Sequence, residues 1–590
     1  MFPPESPVPS DQNDNLNSAT AAPTGIPAPA PVPDAVQVPV ADLSRDRMRF
    51  WEPYIVFLVT LAVLVLFTNR VVEYLTPATG DEPFYLMTAI SILKDGDLNE
   101  CNNYRQLDEA LIYPSFYSFD GVHAYADFPK DWKGLKGAPY PLPPHPGHIV
   151  PASRQCASVY NTYPVDYDNP NGELYSKHGL GLSVLVLPAF AIGNRLGVVL
   201  FLNILGALLA ANIYLLAREG TGKVLPAVLT WVAFAFTVPL MPYSYLIFPE
   251  LPAALLTIYA FRRIRLMANH PAQMALIGLC VATLPWFHYR LAPISVGLVI
   301  YYFFKDRRLR EKSHRLNWAL LMTPAVVSAV ALMLFFYQRY RLPFPNPADH
   351  AGISDVGGTL RGAVGLFLDQ QWGLFVAAPI FILAIVGIVL MWQDRSRRSE
   401  LGWIGVICVP YFLVIANYAQ WWGEWCPPAR YLTTLLPLLA LPFAISLSKI
   451  KGVAYRGIYA VFLLLSLVTM GAYIYQPQWM YNQPTGKALI FTSGLSGLLN
   501  SLNIRFFSSA DVVSAFPSFV QPYFAYLRSK QLGDAAVNAA WLDSIWLFAL
   551  IALIVIVSLL LANRSAPHGD LSTGAASGQS GSVSEMPLPG

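Results

Sequence analysis

Two adjacent carboxylates, Asp81 and Glu82, follow the first long apolar stretch of this 590-residue chain, in the sequence Gly80-Asp81-Glu82-Pro83. Carboxylates carry acid and base chemistry and are expensive to hold near lipid, so a pair at a membrane edge indicates a functional site. The structural alternative is that Asp81 caps the helix Phe84–Leu93, with Glu82 in its first turn. The arrangement of the remaining chain favours the chemical interpretation.

The elements that must position this pair are membrane helices. Hydrophobic residues make up 55% of the chain and charged residues 13%, and the mean hydropathy is +0.43. Because soluble globular proteins are less apolar than this, the composition predicts an all-α polytopic membrane protein. The formal net charge of +3 does not indicate nucleic-acid binding, since the basic residues form short clusters between apolar segments.

Apolar segments of roughly twenty residues predict about twelve transmembrane helices. The first is preceded by Arg45, Arg47 and Arg49, and alternate later connections are basic, which the positive-inside rule assigns to the cytoplasm. The predicted spans are Tyr54–Leu75, Val198–Ala217, Val224–Tyr243, Pro249–Leu266, Ala272–Phe287, Leu291–Phe304, Trp318–Tyr337, Trp372–Trp392, Leu401–Tyr418, Tyr431–Ser448, Gly457–Tyr475 and Trp541–Ala562.

This topology gives one membrane domain, residues 49–562, between disordered cytoplasmic tails at residues 1–48 and 563–590. The first tail has no apolar segment followed by a small-residue cleavage site, so we expect a retained anchor in the inner (plasma) membrane. The longest extracytoplasmic pieces are residues 76–194 and 476–540. Their size and aromatic content predict an active site on the outer side, roofed by interfacial helices.

The apolar segment Leu180–Ile192 is predicted to be one of these interfacial helices, interrupted by Pro188 and closed by Gly193. Counting it as a span would place Arg195 inside and invert every later basic cluster. A true span with reversed topology is the alternative.

Cysteine and histidine patterns add little. Cys101 and Cys156 share the long outer loop, where an oxidising compartment permits a disulfide, and two unrelated thiols are the alternative. His123, His145 and His148 lack the spacing of a zinc site. The sequence therefore requires no metal or other cofactor.

Five motifs follow one another along the chain: Gly80-Asp81-Glu82-Pro83, Lys94-Asp95-Gly96-Asp97-Leu98, Tyr175-Ser176-Lys177-His178-Gly179, Leu368-Asp369-Gln370-Gln371-Trp372-Gly373-Leu374, and Trp421-Trp422-Gly423 with Pro428-Ala429-Arg430-Tyr431-Leu432. In this order they resemble membrane glycosyltransferases of the GT-C class. The nearest likeness is to bacterial relatives of protein O-mannosyltransferases and of the lipid A aminoarabinose transferase, over residues 49–562. Many relatives carry a glycine- and serine-rich run before the late arginine, where this chain has Glu424-Trp425-Cys426-Pro427-Pro428.

The resemblance implies a transferase that moves a sugar from a polyprenyl-phosphate carrier to a lipid, glycan or protein hydroxyl on the outer face of the membrane. Asp81 is then the general base for the acceptor hydroxyl, and Glu82 a helper or a structural cap. Cations on the outer side receive the charge of the departing phosphate. The donor phosphate-binding candidates are Arg290, Arg430, Lys177, His178 and His288.

Each of these assignments has a structural alternative. Arg290 and Arg430 can snorkel to lipid headgroups, and His178 can cap or pack locally. The three tryptophans of residues 421–425 can stack on a sugar, but we expect an interfacial aromatic belt.

The rival function is a transporter or lipid flippase, which usually shows internal repeats and charges near the membrane midplane. We find no such self-similarity, and the acidic groups cluster at the outer side. A noncatalytic assembly factor is a third reading, which an intact Asp81 disfavours. No Gly-rich phosphate loop is present, which disfavours a nucleotide-sugar donor.

Overall fold

The computed structural model describes residues 51–75, 80–100, 103, 176, 178–267, 270–306, 312–340, 356–423, 425–450, 452–482, 490, 497, 516–520 and 532–564. The tail predicted at residues 1–48, nearly all of that predicted at 563–590, Lys177, Cys101 and Cys156 lie outside these ranges.

The described residues form an all-α protein in which no strand is found. Short 3-10 turns join several of the helices, at Tyr289–Leu291, Pro379–Phe381, Tyr431–Thr434, Leu436–Leu439 and Pro477–Met480. The helices are α1 (Glu52–Tyr74), α2 (Glu82–Lys94), α3 (Leu180–Thr221), α4 (Val224–Ala235), α5 (Leu240–Tyr243), α6 (Glu250–Arg265), α7 (Pro271–Phe287), α8 (Ala292–Lys305), α9 (Lys312–Tyr340), α10 (Val356–Leu368), α11 (Leu374–Ala377), α12 (Ile382–Gln393), α13 (Arg398–Asn417), α14 (Ala440–Lys449), α15 (Val453–Tyr475) and α16 (Leu532–Arg564).

Six helices within the described ranges are long and apolar enough to cross a membrane: Glu52–Tyr74, Leu180–Thr221, Arg315–Gln338, Arg398–Asn417, Val453–Tyr475 and Trp541–Leu561. The all-α membrane class is thereby confirmed, and the total of about twelve spans stays a prediction.

Three of the predicted spans are not continuous helices. The segment Val224–Tyr243 stops at Ala235 and resumes as α5, because Pro239 cannot donate a helical hydrogen bond. The segment Trp372–Trp392 consists of α11, a 3-10 turn and α12, and Tyr431–Ser448 consists of two 3-10 turns and α14. Prolines 379 and 437 stand in the first positions of these turns, where a missing N–H is tolerated.

Helix α3 contains the break that the sequence predicts after Ile192. Gly193 and Asn194 leave helical geometry, with Asn194 at φ 49°. The chain folds back sharply there, since a Cβ added to Gly197 would lie 2.3 Å from the carbonyl oxygen of Ala189. Pro188 does not interrupt the helix, so that detail of the prediction was wrong: its fixed φ fits helical geometry and only one hydrogen bond is lost. The outer-interface placement stays a prediction.

Two buried or partly buried ion pairs, one exposed ion pair and one exposed hydrogen bond join the helix ends that carry the predicted cytoplasmic clusters. Arg262 Nε donates to Glu219 Oε1 at 3.1 Å, Arg265 pairs with Glu400, Lys449 Nζ lies 3.0 Å from Asp394 Oδ2, and Lys223 Nζ donates to the Ser448 carbonyl oxygen at 3.3 Å. These contacts gather the C-terminal ends of α3, α6, α12 and α14 and the start of α13 at one end of the bundle. The other end of α6, about 22 Å away along the helix, carries the candidate site.

Candidate active site

Asp81 occupies the N-cap position of α2 without acting as a cap. Gly80 adopts φ 63°, which favours glycine, and thereby turns the chain into the helix. The Asp81 side chain makes no capping hydrogen bond. Its Oδ2 instead accepts a hydrogen bond from Nη2 of Arg430, and 26% of the side chain is exposed. The local alternative from the sequence, a capping aspartate, therefore does not describe this residue.

Glu82 points in the opposite direction, into the protein, and its side chain is 0% exposed. Oε1 accepts a hydrogen bond from the backbone N–H of Ile247 at 2.7 Å, and Oε2 accepts one from the hydroxyl of Tyr481 at 2.8 Å. Nη2 of Arg195, just after the break in α3, lies 3.7 Å from the same Oε2. Of the two roles predicted for Glu82, helper and structural residue, this environment favours the structural one, because both carboxylate oxygens hold distant segments to the start of α2.

Glu250, at the N-terminus of α6, joins the two candidate arginines. Its Oε1 accepts hydrogen bonds from Nη2 of Arg290 at 2.7 Å and from Nε of Arg430 at 3.0 Å. Arg430 also donates Nη1 to the carbonyl oxygen of Gly423 at 2.9 Å, in addition to its bond to Asp81. We call Asp81, Glu250, Arg290 and Arg430 the arginine–carboxylate cluster. Its two positive and two negative charges cancel.

Aromatic rings cover the cluster. The guanidinium carbon of Arg290 lies 4.2 Å from the ring centroid of Tyr431, and that of Arg430 lies 4.5 Å from the ring of Phe248. Burial alone lowers the pKa of Arg430, but Asp81 and Glu250 raise it well above its ordinary value. Both arginines are thus desolvated cations held by π faces and carboxylates, rather than side chains that snorkel to headgroups.

His178 and His288 also lie at this end of the molecule. The His178 ring stacks on Phe84 of α2 with centroids 5.1 Å apart, and its Nδ1 lies 3.9 Å from Oδ2 of Asp81. His288 caps the turn Tyr289–Leu291, where its Nδ1 accepts a hydrogen bond from the backbone N–H of Arg290 at 3.2 Å. His178 therefore reaches the cluster directly, and His288 orients the backbone of one of its arginines.

Close packing fixes where His178 stands. A Cβ on the next residue, Gly179, would lie 2.1 Å from the carbonyl oxygen of Phe287, at the end of α7. The start of α3 thus approaches the backbone that leads into His288 and Arg290. One glycine brings two of the predicted site segments together.

The Asp369-Gln370-Gln371-Trp372 segment holds the backbone next to Arg430. The Trp372 carbonyl oxygen accepts a hydrogen bond from the backbone N–H of Ala429 at 2.9 Å. Asp369 is fully buried: Oδ1 accepts from the N–H of Gln371 at 2.8 Å, and Oδ2 from the N–H of Phe519 at 2.7 Å. Burial raises the pKa of Asp369 to about 6, although these backbone donors act in the opposite direction.

The expected aromatic belt at residues 421–425 was wrong for two of its three members. Trp421 and Trp422 are buried, at 2% and 7% exposure. Trp421 packs against Gly365 of α10, where an added Cβ would lie 2.2 Å from the indole ring. These tryptophans are packed inside the protein and do not face lipid.

Sequence reasoning missed Glu250, Arg195 and Tyr481. Glu250 lies within a segment interpreted as a span, between Pro249 and Pro252. An acidic residue inside an apolar segment is itself a signal for a functional site, and that signal could have identified it. Arg195 and Tyr481 carry no comparable signal, because their role depends on which distant segment packs against Glu82.

The side chains of the arginine–carboxylate cluster can support a limited range of reactions. The partly exposed carboxylate of Asp81 contacts one permanent cation, Arg430, and Glu250 links that cation to a second, Arg290. This arrangement suits proton abstraction near a developing negative charge. Within the described ranges, no three His, Cys, Asp or Glu side chains are grouped closely enough to hold a metal ion.

Comparison with known proteins gives one partial similarity. No protein-family model and no solved structure matches the chain. Over 142 residues it is 28% identical to the phosphatidylglycerol–prolipoprotein diacylglyceryl transferase of Wolinella succinogenes. The match covers 20% of this chain and 52% of that protein, so the chain spans about half the length of this relative. The chain is thus similar in part to a transferase that is named for a phospholipid and a lipoprotein precursor.

Proposed function

We propose that this protein is a membrane transferase that takes a sugar from a polyprenyl-phosphate donor and passes it to a hydroxyl acceptor on the outer face of the membrane. The observation that carries the proposal is the arginine–carboxylate cluster. It places a partly exposed carboxylate, Asp81, against the buried guanidinium of Arg430, which Glu250 links to the second buried guanidinium, that of Arg290. The motif resemblance to GT-C enzymes supports the same assignment.

The reaction follows from these groups. Asp81 takes the proton of the acceptor hydroxyl, and the acceptor oxygen forms a bond to the anomeric carbon of the sugar. The bond between that carbon and the phosphate oxygen breaks, and its electron pair stays on the phosphate. A guanidinium group offsets this charge in a site with little water, where such stabilisation is strong. The carboxylate stays ionised beforehand because Arg430 favours its charged form.

The membrane helices have a role in the same proposal. A polyprenyl chain is confined to the lipid phase, so a site for its phosphate must open at the depth of the headgroups. The cluster lies where α2, α6 and the turn at Tyr289–Leu291 meet, next to helices long enough to cross the bilayer. Such a position suits a donor whose tail remains in lipid.

The partial similarity favours a second candidate, transfer from a phospholipid such as phosphatidylglycerol. The two candidates share a donor in which a phosphate is attached to a membrane lipid. They differ in the group that is transferred and in the acceptor. The cluster suits either donor, whereas the motif order favours sugar transfer.

A reconstitution experiment separates the candidates. Purified protein in lipid nanodiscs is incubated with polyprenyl-phosphate sugars, or with labelled phosphatidylglycerol and a prolipoprotein, and products are identified by mass spectrometry. Glycosylated product supports sugar transfer, and a diacylglyceryl-modified protein supports the second candidate. Flux of substrate across proteoliposomes without covalent product would contradict both and support the transporter.

The sugar and the acceptor can be identified by comparing envelope glycans and glycolipids from cells with and without the protein. We expect one sugar to be missing from one defined acceptor. An unchanged glycan profile together with unmodified lipoproteins would argue against a transferase.

A further inference from the structure

The two arginines of the cluster are engaged unequally. Arg430 uses all three of its guanidinium nitrogens: Nε on Glu250, Nη1 on the Gly423 carbonyl oxygen and Nη2 on Asp81. Arg290 donates Nη2 to Glu250, while its buried Nε has no hydrogen-bond partner among the described residues. The sequence analysis assigns both arginines the same role, whereas their contacts in the structure differ.

The hydrocarbon part of Arg430 is also enclosed. Gly423 adopts φ 84°, and a Cβ added there would lie 2.8 Å from Cδ of Arg430. The backbone N–H of Ala429, the residue before it, is held by the Trp372 carbonyl oxygen. Arg430 therefore has little freedom to turn toward a new ligand, and any turn would take from Asp81 its arginine partner and leave the buried Glu250 with Arg290 alone.

Arg290 has the opposite properties. The Tyr431 ring covers one face of its guanidinium, and Glu250 holds one nitrogen at the edge. A buried N–H without an acceptor is unfavourable by itself, and an anionic oxygen placed there would satisfy it with a charge-assisted hydrogen bond.

We propose that the two arginines have different tasks: Arg430 is a positioning residue that orients the Asp81 carboxylate, and Arg290 contacts the phosphate of the lipid donor. This division rests on the proposed function. In the transfer step, the proton moves from the acceptor hydroxyl to Asp81, and the electron pair of the breaking bond moves to the phosphate oxygen. Nε of Arg290 donates to that oxygen, and Glu250 holds Arg290 in place.

Loss of Arg430 then changes the pH dependence of transfer, because Asp81 loses the neighbouring cation that favours its charged form. Other titratable or charged groups near Asp81 remain in that variant. Among the described residues they are His178, Glu82, Tyr85, Glu250, Arg290, Cys426 and Tyr431.

The test uses Arg290→Gln and Arg430→Gln in full-length protein in nanodiscs. It measures transfer kinetics between pH 5 and 9 and the binding of polyprenyl phosphate and of phosphatidylglycerol. We expect Arg290→Gln to weaken binding of the donor lipid by about tenfold to a hundredfold. The pH at which transfer is lost on the acidic side of the pH–rate profile, the acidic limb, should stay the same. We expect Arg430→Gln to lower kcat about a hundredfold, to change the donor KM little and to move the acidic limb to higher pH.

If a glutamine variant does not fold, the lysine variants, which retain the positive charge, provide the same comparison. Arg430→Lys retains the charge but cannot hold three acceptors in one plane, so kcat stays low while the acidic limb returns toward its normal position. Arg290→Lys restores part of the lipid binding. The matched control is Arg262→Lys at the opposite end of α6, where a buried arginine pairs with Glu219 in a similar way; its kinetics should match the wild type.

The outcomes separate this inference from the proposed function. If the wild type transfers sugar and Arg430→Gln loses lipid binding while Arg290→Gln keeps it, the division of tasks is wrong and the function stands. Full turnover of Arg430→Lys also contradicts the positioning role. If the wild type binds neither lipid and transfers nothing, the proposed function fails, and the assignment of Arg290 fails with it. The lipid that binds tells which of the two phosphate donors the site takes.

Discussion

At the scale of single residues, the adjacent carboxylates Asp81 and Glu82 have separate environments. Asp81 is partly exposed and paired with Arg430, and Glu82 is fully buried against a backbone N–H and a tyrosine hydroxyl. The rotation of about 100° between neighbouring positions at the start of a helix accounts for this difference. Asp81 is therefore accessible to a substrate in the proposed reaction, and Glu82 holds the start of the helix in place.

We expect Asp81→Asn to lower kcat by at least about a hundredfold, because the amide cannot take a proton at neutral pH. The protein should still fold and bind its donor lipid. Single-turnover transfer and lipid binding in nanodiscs provide the measurement. Turnover close to that of the wild type would remove Asp81 from the base role.

We expect Glu82→Gln to act mainly on stability. The amide oxygen can still accept from the N–H of Ile247 and the NH2 group can donate to the Tyr481 hydroxyl, but the buried guanidinium of Arg195 loses the charge of its carboxylate partner, a loss of about 1–3 kcal/mol. Thermal unfolding should occur at a lower temperature, and the folded fraction should keep more activity than Asp81→Asn does. A larger loss of kcat in Glu82→Gln than in Asp81→Asn would reverse the two assignments.

At the scale of elements, the contact between the start of α3 and the end of α7 decides where His178 stands. We expect Gly179→Ala to destabilise the protein by about 1–3 kcal/mol and to slow transfer, because the new Cβ would collide with the Phe287 carbonyl oxygen. Gly452→Ala is the matched control. Gly452 has the same N-cap position and nearly the same backbone angles, and no atom of the described part of the chain lies within 4 Å of its added Cβ.

The measurement is the thermal unfolding midpoint of both variants together with their kcat. Equal midpoints for the two variants would show that the close approach of α3 and α7 does not contribute to stability. A loss of stability in Gly179→Ala with unchanged kcat would separate the packing of α3 from the position of His178.

The loop at Asp369 predicts a pH dependence of stability. Its folded-state pKa of about 6 lies above the ordinary value of 3.8. Its contribution is therefore fully present below about pH 4 and is lost as the pH rises through 6, by up to about 3 kcal/mol. We expect Asp369→Asn to remove this part of the pH dependence, measured as the difference in unfolding midpoint from the wild type between pH 5 and 7.5. A difference that does not vary with pH would contradict the prediction.

The elements that the sequence predicts well are those with a local signal. The first span, the break after Ile192 and the start of α2 all follow from apolar length and from glycine and proline positions. The segments near Pro239 and Pro379 are apolar throughout, so their hydropathy predicts continuous helices. Averaged hydropathy carries no information on where the backbone hydrogen bonds of a helix end. Glu82 and Tyr481 meet across 399 residues, and no spacing rule predicts such a contact.

At the scale of the whole molecule, ion pairs gather the predicted cytoplasmic helix ends on one side, and the candidate site lies at the opposite end of α6. Alternating basic clusters made this separation predictable from the sequence. The meeting of Arg430 with Asp81 follows from the same scheme, since both were assigned to the outer side. The participation of Glu250 did not follow, because the scheme placed it within the bilayer.

We expect residues 76–194 and 476–540 to lie on the same, extracytoplasmic side. Single cysteines at positions 127 and 534, in a background without the native cysteines, should react with an impermeant reagent in intact cells. A cysteine at Lys449 should react only after the membrane is opened. Labelling of positions 127 and 534 from opposite sides would break the twelve-span topology.

The cancellation of charge within the arginine–carboxylate cluster has a consequence for selectivity among anions. On the proposed function, a soluble phosphate that approached the site would give up its hydration, and in a cluster without net charge it would gain little beyond the hydrogen bond from Nε of Arg290. A phosphate attached to a lipid arrives already confined to the bilayer surface, and its tail keeps it at a high local concentration. If the proposed function holds, we expect this electroneutral site to select its ligand by location in the membrane rather than by charge. It would then bind lipid-attached phosphates in preference to the soluble anions of the surrounding water.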